Sequence, residues 1–219
     1  TWTNENFRKI YEKYLPGWAN EPELLVRIDT IPDQEIWQAH QQAKNDLIDS
    51  VNELAHSVMN KETLTLGFAR RATEYKRGDL IFSDIDKLRK INRTGKIQII
   101  FAGKAHPKDE GGKKIIEQIF RHKRKLSDSI RIAYLENYNM NQAAKLISGV
   151  DVWLNTPLPP REASGTSGMK AAFNGVINFS VLDGWWIEGW IEDVTGWAIG
   201  PQPNEQISAE ERRNRELDD

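Results

Sequence analysis

The chain has 219 residues, 39% of them apolar, which suits an ordinary globular core in one large α/β domain or two small ones. Thirty Lys and Arg face 32 Asp and Glu, and the formal net charge of −2 gives no reason to expect nucleic acid as a partner. The absence of cysteine excludes disulfides and thiolate metal sites, and with no apolar run of about 18 residues no membrane span is expected.

The first residues, Thr1-Trp-Thr-Asn-Glu-Asn-Phe7, lack the basic start and apolar core of a signal peptide, and they lack an initiator Met. A fragment or processed product of a longer protein is the expectation. Residues 4–14 read as a short helix ended by Pro16-Gly17, and a loop rich in Pro, Asn and Glu follows. Pro32-Asp33 then opens a helical pattern to about Asn60, with Ile36, Trp37, His40, Leu47, Val51, Leu54 and Val58 near one stripe. This stretch, 1–60, reads as a helical segment leading into a domain formed by 61–219.

From there strands alternate with helices. Strands are expected at Thr63–Ala69, Ile97–Ala102, Ile130–Leu135, Val150–Leu154 and Val176–Val181. Helices are expected at Leu80–Ile91, Glu110–Lys125, Met140–Ser148 and Gly165–Asn174. This alternation implies an α/β fold with a doubly wound parallel sheet of the Rossmann type. The tail from Glu205 to Asp219 is polar and helix-prone, exposed or docked on something else. Sheets of this kind bind ligands beyond the carboxyl ends of their strands, and the chemistry-bearing segments fall there.

The segment Glu162-Ala-Ser-Gly-Thr-Ser-Gly-Met-Lys170 leads into a helix. Free N–H groups at a helix start attract an anion, and Gly165, Thr166, Ser167 and Gly168 let a phosphate approach the backbone. Lys170 lies one turn further on, where its amine suits a Schiff base with an aldehyde cofactor that carries a phosphate. On spacing alone, a Gly/Ser turn capping a helix with a solvated lysine is the commoner reading.

Arg70, Arg71, Lys76 and Arg77 place four cations in eight residues just past the first strand. Arg forks and Lys point charges suit phosphate oxygens, although such clusters more often pair with nearby acids. After the second strand, Lys104 is placed to face an anion, and His106 is of a type that usually caps a helix or sits at the surface. After the third, Tyr138 is placed to stack on a flat ring or simply to pack. Trp185, Trp186, Trp190 and Trp197 fall within thirteen residues, a pattern that fills cores or domain interfaces more often than it stacks on sugars.

Together these segments resemble the α-glucan (glycogen, maltodextrin, starch) phosphorylases. Glu162-Ala-Ser-Gly-Thr166 with Met169-Lys170 is similar to the family's cofactor-lysine signature, Glu-Ala-Ser-Gly-Thr-Gly-Asn-Met-Lys. Glu74-Tyr-Lys-Arg77, preceded by Arg71, is similar to its phosphate-site signature. Gly103-Lys104-Ala105, Asn137-Tyr138, Asn174-Gly175 and Leu182-Asp-Gly184 follow in the family's order. The likeness is clear over about 61–190 and looser over 1–60.

The resemblance implies the second half of a two-domain GT-B glycosyltransferase fold, pyridoxal 5'-phosphate as cofactor, and a cytoplasmic enzyme. The implied reaction is reversible, retaining phosphorolysis of α-1,4-glucan ends to glucose 1-phosphate. Lys170 would carry the cofactor. Arg70 with the backbone of Thr166 and Ser167 would hold the cofactor phosphate, and Tyr138 would lie against the cofactor. Arg71 and Lys76 would hold the substrate phosphate, so that Arg71, Lys76 and Lys170 form the catalytic set. Tyr75, Glu162, Ser164 and Gly165 would bind glucose hydroxyls. Inorganic phosphate, the glucan and the missing N-terminal domain are the implied partners, and self-association is compatible with the resemblance.

Thr73, Asn139 and Ser167-Gly168 depart from the family pattern, which has histidine, arginine and Gly-Asn there. Two rivals share some features. A nucleotide-sugar glucosyltransferase of the glycogen-synthase type often has a glutamate pair with seven residues between its members, but with the first at Glu162 the second falls at Lys170 here, which cannot accept hydrogen bonds from a ribose. A non-catalytic carbohydrate-binding domain fits the tryptophans but has no use for so many cations.

Overall fold

The computed structural model describes residues 2–218. Six strands, β1 (Leu64–Ala69), β2 (Ile97–Ala102), β3 (Arg131–Leu135), β4 (Val152–Asn155), β5 (Ile177–Val181) and β6 (Gly196–Ile199), pair in parallel in the order β3-β2-β1-β4-β5-β6. Parallel neighbours need crossovers. These are supplied by α3 (Ile85–Thr94), α4 (Glu110–Lys125), α5 (Met140–Gly149), α6 (Thr166–Ala172) and the single turn α7 (Trp186–Gly189). Ahead of the sheet lie α1 (Glu5–Tyr14) and α2 (Asp33–Leu54), and after it α8 (Ala209–Asp218).

A parallel sheet covered on both faces reads as unbroken apolar runs, and every residue of β2 is buried. The two-residue period sorts its side chains between two cores. Ile100 and Ala102, with Ala133 and Leu135, meet Leu47, Ile48 and Val51 of α2 and Leu146 and Ile147 of α5. Ile99 and Phe101, with Ile132 and Tyr134, meet Leu88 of α3 and Ile115 and Ile119 of α4. Gln98, the one polar residue of β2, is fully satisfied: its amide donates to Asn60 O (2.7 Å) and Thr65 Oγ1 (2.8 Å), and its oxygen accepts from Asn60 N (2.9 Å).

Helix α2 is shorter than expected and turned relative to the expected stripe. Asn52 accepts a bond from Met59 N (2.6 Å) and donates to Met59 O (3.0 Å), while His56 takes a φ of 45°, and the chain turns away after Leu54. The buried face carries His40, Lys44, Leu47, Ile48 and Val51, whereas Trp37, Leu54 and Val58 are exposed. Polar residues enter this face because Asp151, at the start of β4, receives Lys44 Nζ and Thr65 N, each at 2.7 Å, and meets His40 Nε2 at 2.8 Å.

The expected helix at 80–91 is divided. A short 3-10 turn, Leu80–Phe82, precedes α3, whose start is capped by Asp84 accepting from Lys87 N (2.8 Å). Strand β6 was not expected, since it is four residues long and opens on glycine. The polar tail forms α8, docked through the buried Glu216; Asp219 lies outside the described residues. Beside α8 an apolar groove of about 370 Å³ is lined by Leu66, Leu154, Phe179, Trp197 and Ile199. None of the candidate site residues lines it.

Candidate active site at the carboxyl edge of β1 and β4

In this strand order the chain reverses direction between β1 and β4, and ligands of such sheets sit beyond the carboxyl ends at that point. The loops after β1 and β2 are joined there. Arg70 N donates to Ala102 O (3.1 Å) and Ala72 N to Lys104 O (3.0 Å). Gly103 makes this approach feasible, because a Cβ on it would stand 2.1 Å from Arg70 O.

The four cations after β1 take three different positions. Arg77, in the left-handed region at φ 46°, is a latch. Its Nε and Nη2 donate to Thr156 O (2.9 Å) and Pro157 O (2.8 Å), and Nη1 pairs with Glu216 of α8. Arg71 is exposed. Arg70 and Lys76 turn inward and converge on one atom, Oε2 of Glu162, Arg70 Nη2 at 2.6 Å and Lys76 Nζ in closer contact still. Arg70 is aimed by a hydrogen bond from Nη1 to Asn155 Oδ1, and Asn155 in turn donates from Nδ2 to Ser180 Oγ (3.0 Å). Lys76 lies over the half-buried Tyr75 ring, 4.5 Å from its centroid.

The Glu162 backbone N–H donates to Oδ2 of the buried Asp183 (2.9 Å). Burial opposes ionisation of Glu162, but the hydrogen bond from Lys76 and the charge of Arg70 outweigh it and hold the carboxyl below the usual carboxylate range.

The glycine turn lies next to this cluster in the chain. Gly165 is buried with φ 81°, and α6 begins directly after it with no side-chain cap on its free N–H groups. Trp185 packs against the turn: a Cβ on Gly165 would lie 3.2 Å from its ring, and one on Gly168 would lie 2.8 Å from its Nε1 and 2.6 Å from Asn178 Oδ1. Ser164 is half-buried, and its carbonyl accepts from Trp185 N (2.8 Å). Thr166 is exposed, while Ser167 Oγ accepts a bond from the indole of the buried Trp153 (3.3 Å). That bond gives Ser167 a local partner where the resembled family carries a different residue.

Lys170 is half-buried on α6, its ammonium 3.9 Å from the centre of the Trp2 ring. Trp2 and Tyr138 both pack against the core cluster that holds Trp153 and Ala171, so the lysine, the two rings and the glycine turn share one side of the sheet. Burial pushes the Tyr138 hydroxyl up to about 12. Asn139 caps α5 by accepting from Asn141 N (3.0 Å) and Gln142 N (3.1 Å). Lys104 is exposed, and His106 accepts from Lys108 N (3.2 Å) in a turn outside the cluster.

Sequence reasoning missed Asn155, Ser180, Trp2 and Trp153, and it gave Asp183 no role beyond its place in Leu182-Asp-Gly184. Asn155 left a trace, a polar residue ending the apolar Val152-Trp-Leu-Asn155 run. Trp2 left none, being 168 positions from the lysine it covers. Among the described residues, no group of three side chains is arranged to hold a metal ion, and no helix is long and apolar enough to cross a membrane.

The sequence pattern of the carbohydrate phosphorylase family matches residues 2–197. A glycogen phosphorylase of Aquifex aeolicus is 44% identical over 223 residues, covering 91% of this chain and 32% of that protein. A maltodextrin phosphorylase of Thermococcus litoralis is 40% identical, covering 92% and 26%. A glycogen phosphorylase of Mycobacterium tuberculosis is 38% identical, covering 90% and 25%. The chain thus spans a quarter to a third of the length of these relatives. A match that runs from Trp2 to Trp197 takes in both the basic loop and the lysine turn, and it places this chain in the carbohydrate phosphorylase family.

Proposed function

We propose that this chain is the cofactor- and phosphate-binding part of an α-glucan phosphorylase, which splits glucose 1-phosphate from α-1,4-glucan ends reversibly and with retained configuration. The observation that carries this reading is the convergence of Arg70 and Lys76 on a single oxygen beside the lysine-bearing turn. Two nearly buried cations that share one anion form a strong site for phosphate. The names of the relatives supply the substrate class.

Pyridoxal phosphate fits the residues present. The start of α6 is uncapped, glycines leave the turn open to a phosphate, and the Lys170 amine rests on an aromatic face rather than in an ion pair. Lys170 would hold the group covalently, the Thr166 and Ser167 amides with Arg70 would hold its phosphate, and Tyr138 would flank its ring. When bound, the group supplies a second phosphate that takes part in proton transfer.

The chain's own residues bind and orient. Lys76, with Arg71 drawn in from solvent, would hold inorganic phosphate, which protonates the glycosidic oxygen and then, as its conjugate anion, captures the glucosyl cation. Arg70 and Lys76 stabilise the charge that develops there, and loss of one such group typically costs on the order of hundredfold in rate. Tyr75, Glu162, Ser164 and Gly165 would engage the sugar hydroxyls. The relatives are three to four times longer, so the opposite wall of the cleft would come from an N-terminal domain, and the purified chain is expected to be inactive alone. Phosphorolysis by the chain of 219 residues would overturn that.

Thermal shift with defined ligands separates this reading from its rival. Inorganic phosphate and glucose 1-phosphate should raise the melting temperature when pyridoxal phosphate is present. Saturable stabilisation by ADP- or UDP-glucose without the cofactor would instead make the protein a nucleotide-sugar glucosyltransferase.

A further inference from the structure

The anion partner of Arg70 and Lys76 is a side chain of the same protein. The Arg70, Lys76 and Glu162 side chains retain only 7%, 9% and 10% of their exposure. Two cations so poorly hydrated repel each other and need a counter-charge at all times. The cations are fixed from below. Asn155 and Ser180 aim Arg70, while the Tyr75 ring and a bond from Thr156 Oγ1 to Lys76 O (3.0 Å) seat Lys76. The carboxylate is held differently. Asp183 anchors only the Glu162 backbone, and the flanking Arg161 and Ala163 are exposed. Rotation about the bonds of the Glu162 side chain removes the anion without moving the loop.

We propose that Glu162 is a resident counter-anion: its carboxylate neutralises both Arg70 and Lys76, and an incoming phosphate, the inorganic one at Lys76 or the cofactor's at Arg70, binds by displacing it. This rests on reading those two cations as phosphate-holding groups. The exchange keeps the cation pair neutralised in both states. It also orders the events, because the carboxylate is released for a sugar hydroxyl once phosphate has taken its place. Glu162 then couples the two binding events, since it leaves the cations as it takes up the sugar hydroxyl.

The test is calorimetric titration of inorganic phosphate into the 219-residue chain, without pyridoxal phosphate, for wild type, Glu162→Gln, Lys76→Ala and the double variant. Glu162→Gln should bind phosphate about tenfold more tightly than wild type, the scale of one surrendered ion pair. It should melt lower than wild type in phosphate-free buffer and recover more on adding phosphate. Adding Lys76→Ala should abolish the gain. Glu162→Asp keeps the charge but shortens the reach to the two cations, so it should bind phosphate severalfold more tightly even if Glu162→Gln folds poorly. Unchanged or weaker phosphate binding by the Glu162 variants overturns the proposal. If Lys76→Ala alone still weakens binding in that case, the cations remain a phosphate site and only the exchange is wrong. A gain that survives in the double variant places phosphate elsewhere and overturns both.

Discussion

Replacing Asp151 with Asn removes the charge on which three donors converge at the base of β4. Lys44 Nζ and Thr65 N reach one carboxylate oxygen at 2.7 Å, and His40 Nε2 meets the other at 2.8 Å. The Lys44 side chain is only 5% exposed, so the substitution leaves an ammonium without a counter-charge in a nearly dry place. Removing one partner of a buried pair costs about 3–5 kcal/mol, and because Asn keeps one acceptor the lower end, about 3 kcal/mol, is expected. In a domain of this size that corresponds to a fall in melting temperature of about 6–12 °C. The acid dependence has a definite sign. Burial opposes ionisation of Asp151, but the bonds from His40, Lys44 and the Thr65 amide outweigh it and lower its folded pKa. An unfolded Asp titrates near about 3.9, so the contribution is complete above that pH and fades as pH falls through the lower folded value. Urea unfolding at neutral pH and through the acid range measures both. A variant within about 0.5 kcal/mol of wild type at neutral pH, with a parallel acid slope, would refute the reasoning.

Other substitutions probe the site's supports. Gly168→Ala brings a methyl within 2.6 Å of Asn178 Oδ1 and 2.8 Å of Trp185 Nε1, and overpacking of this kind should cost about 1–3 kcal/mol in urea unfolding. A neutral result would mean that Trp185 moves aside freely. Arg77→Ala removes the latch on α8 and leaves the Glu216 carboxylate, 5% exposed as a residue, without its cation. Trypsin should then cut early among Arg212, Arg213 and Arg215, and unchanged protection of α8 would show that the groove contacts alone hold it. Glu162 adds to the acid slope in the same sense as Asp151, since its folded pKa is also depressed. Glu162→Gln should therefore flatten the loss of stability below about pH 4, which acid unfolding would detect.

Five of the six strands were legible because a parallel sheet buried on both faces leaves apolar runs, as in Ile97-Gln-Ile-Ile-Phe-Ala102. Strand β6 was not, because Gly196 opens it and Trp197 remains 37% exposed, which breaks the run. The face of α2 was misjudged for a different reason. Lys44 looks like a solvent residue, and only Asp151, more than a hundred positions away, turns it inward. The site divides along the same line. The glycine turn and Lys170 are contiguous, so their chemistry is local and readable. Which of the four cations after β1 face inward is decided by remote partners, Glu162 for Arg70 and Lys76 and Glu216 for Arg77. Arg71, implied as a phosphate ligand, stands in solvent.

The identity of the cofactor lysine is open to direct chemical measurement. The chain would be incubated with pyridoxal phosphate, reduced with borohydride, digested and mapped by mass spectrometry, with Lys170→Ala as control. Stable label concentrated on the peptide that holds Lys170, and lost in the variant, is the expected result. Label spread evenly over the surface lysines, or unchanged in Lys170→Ala, would mean that the glycine turn and α6 do not form the cofactor site.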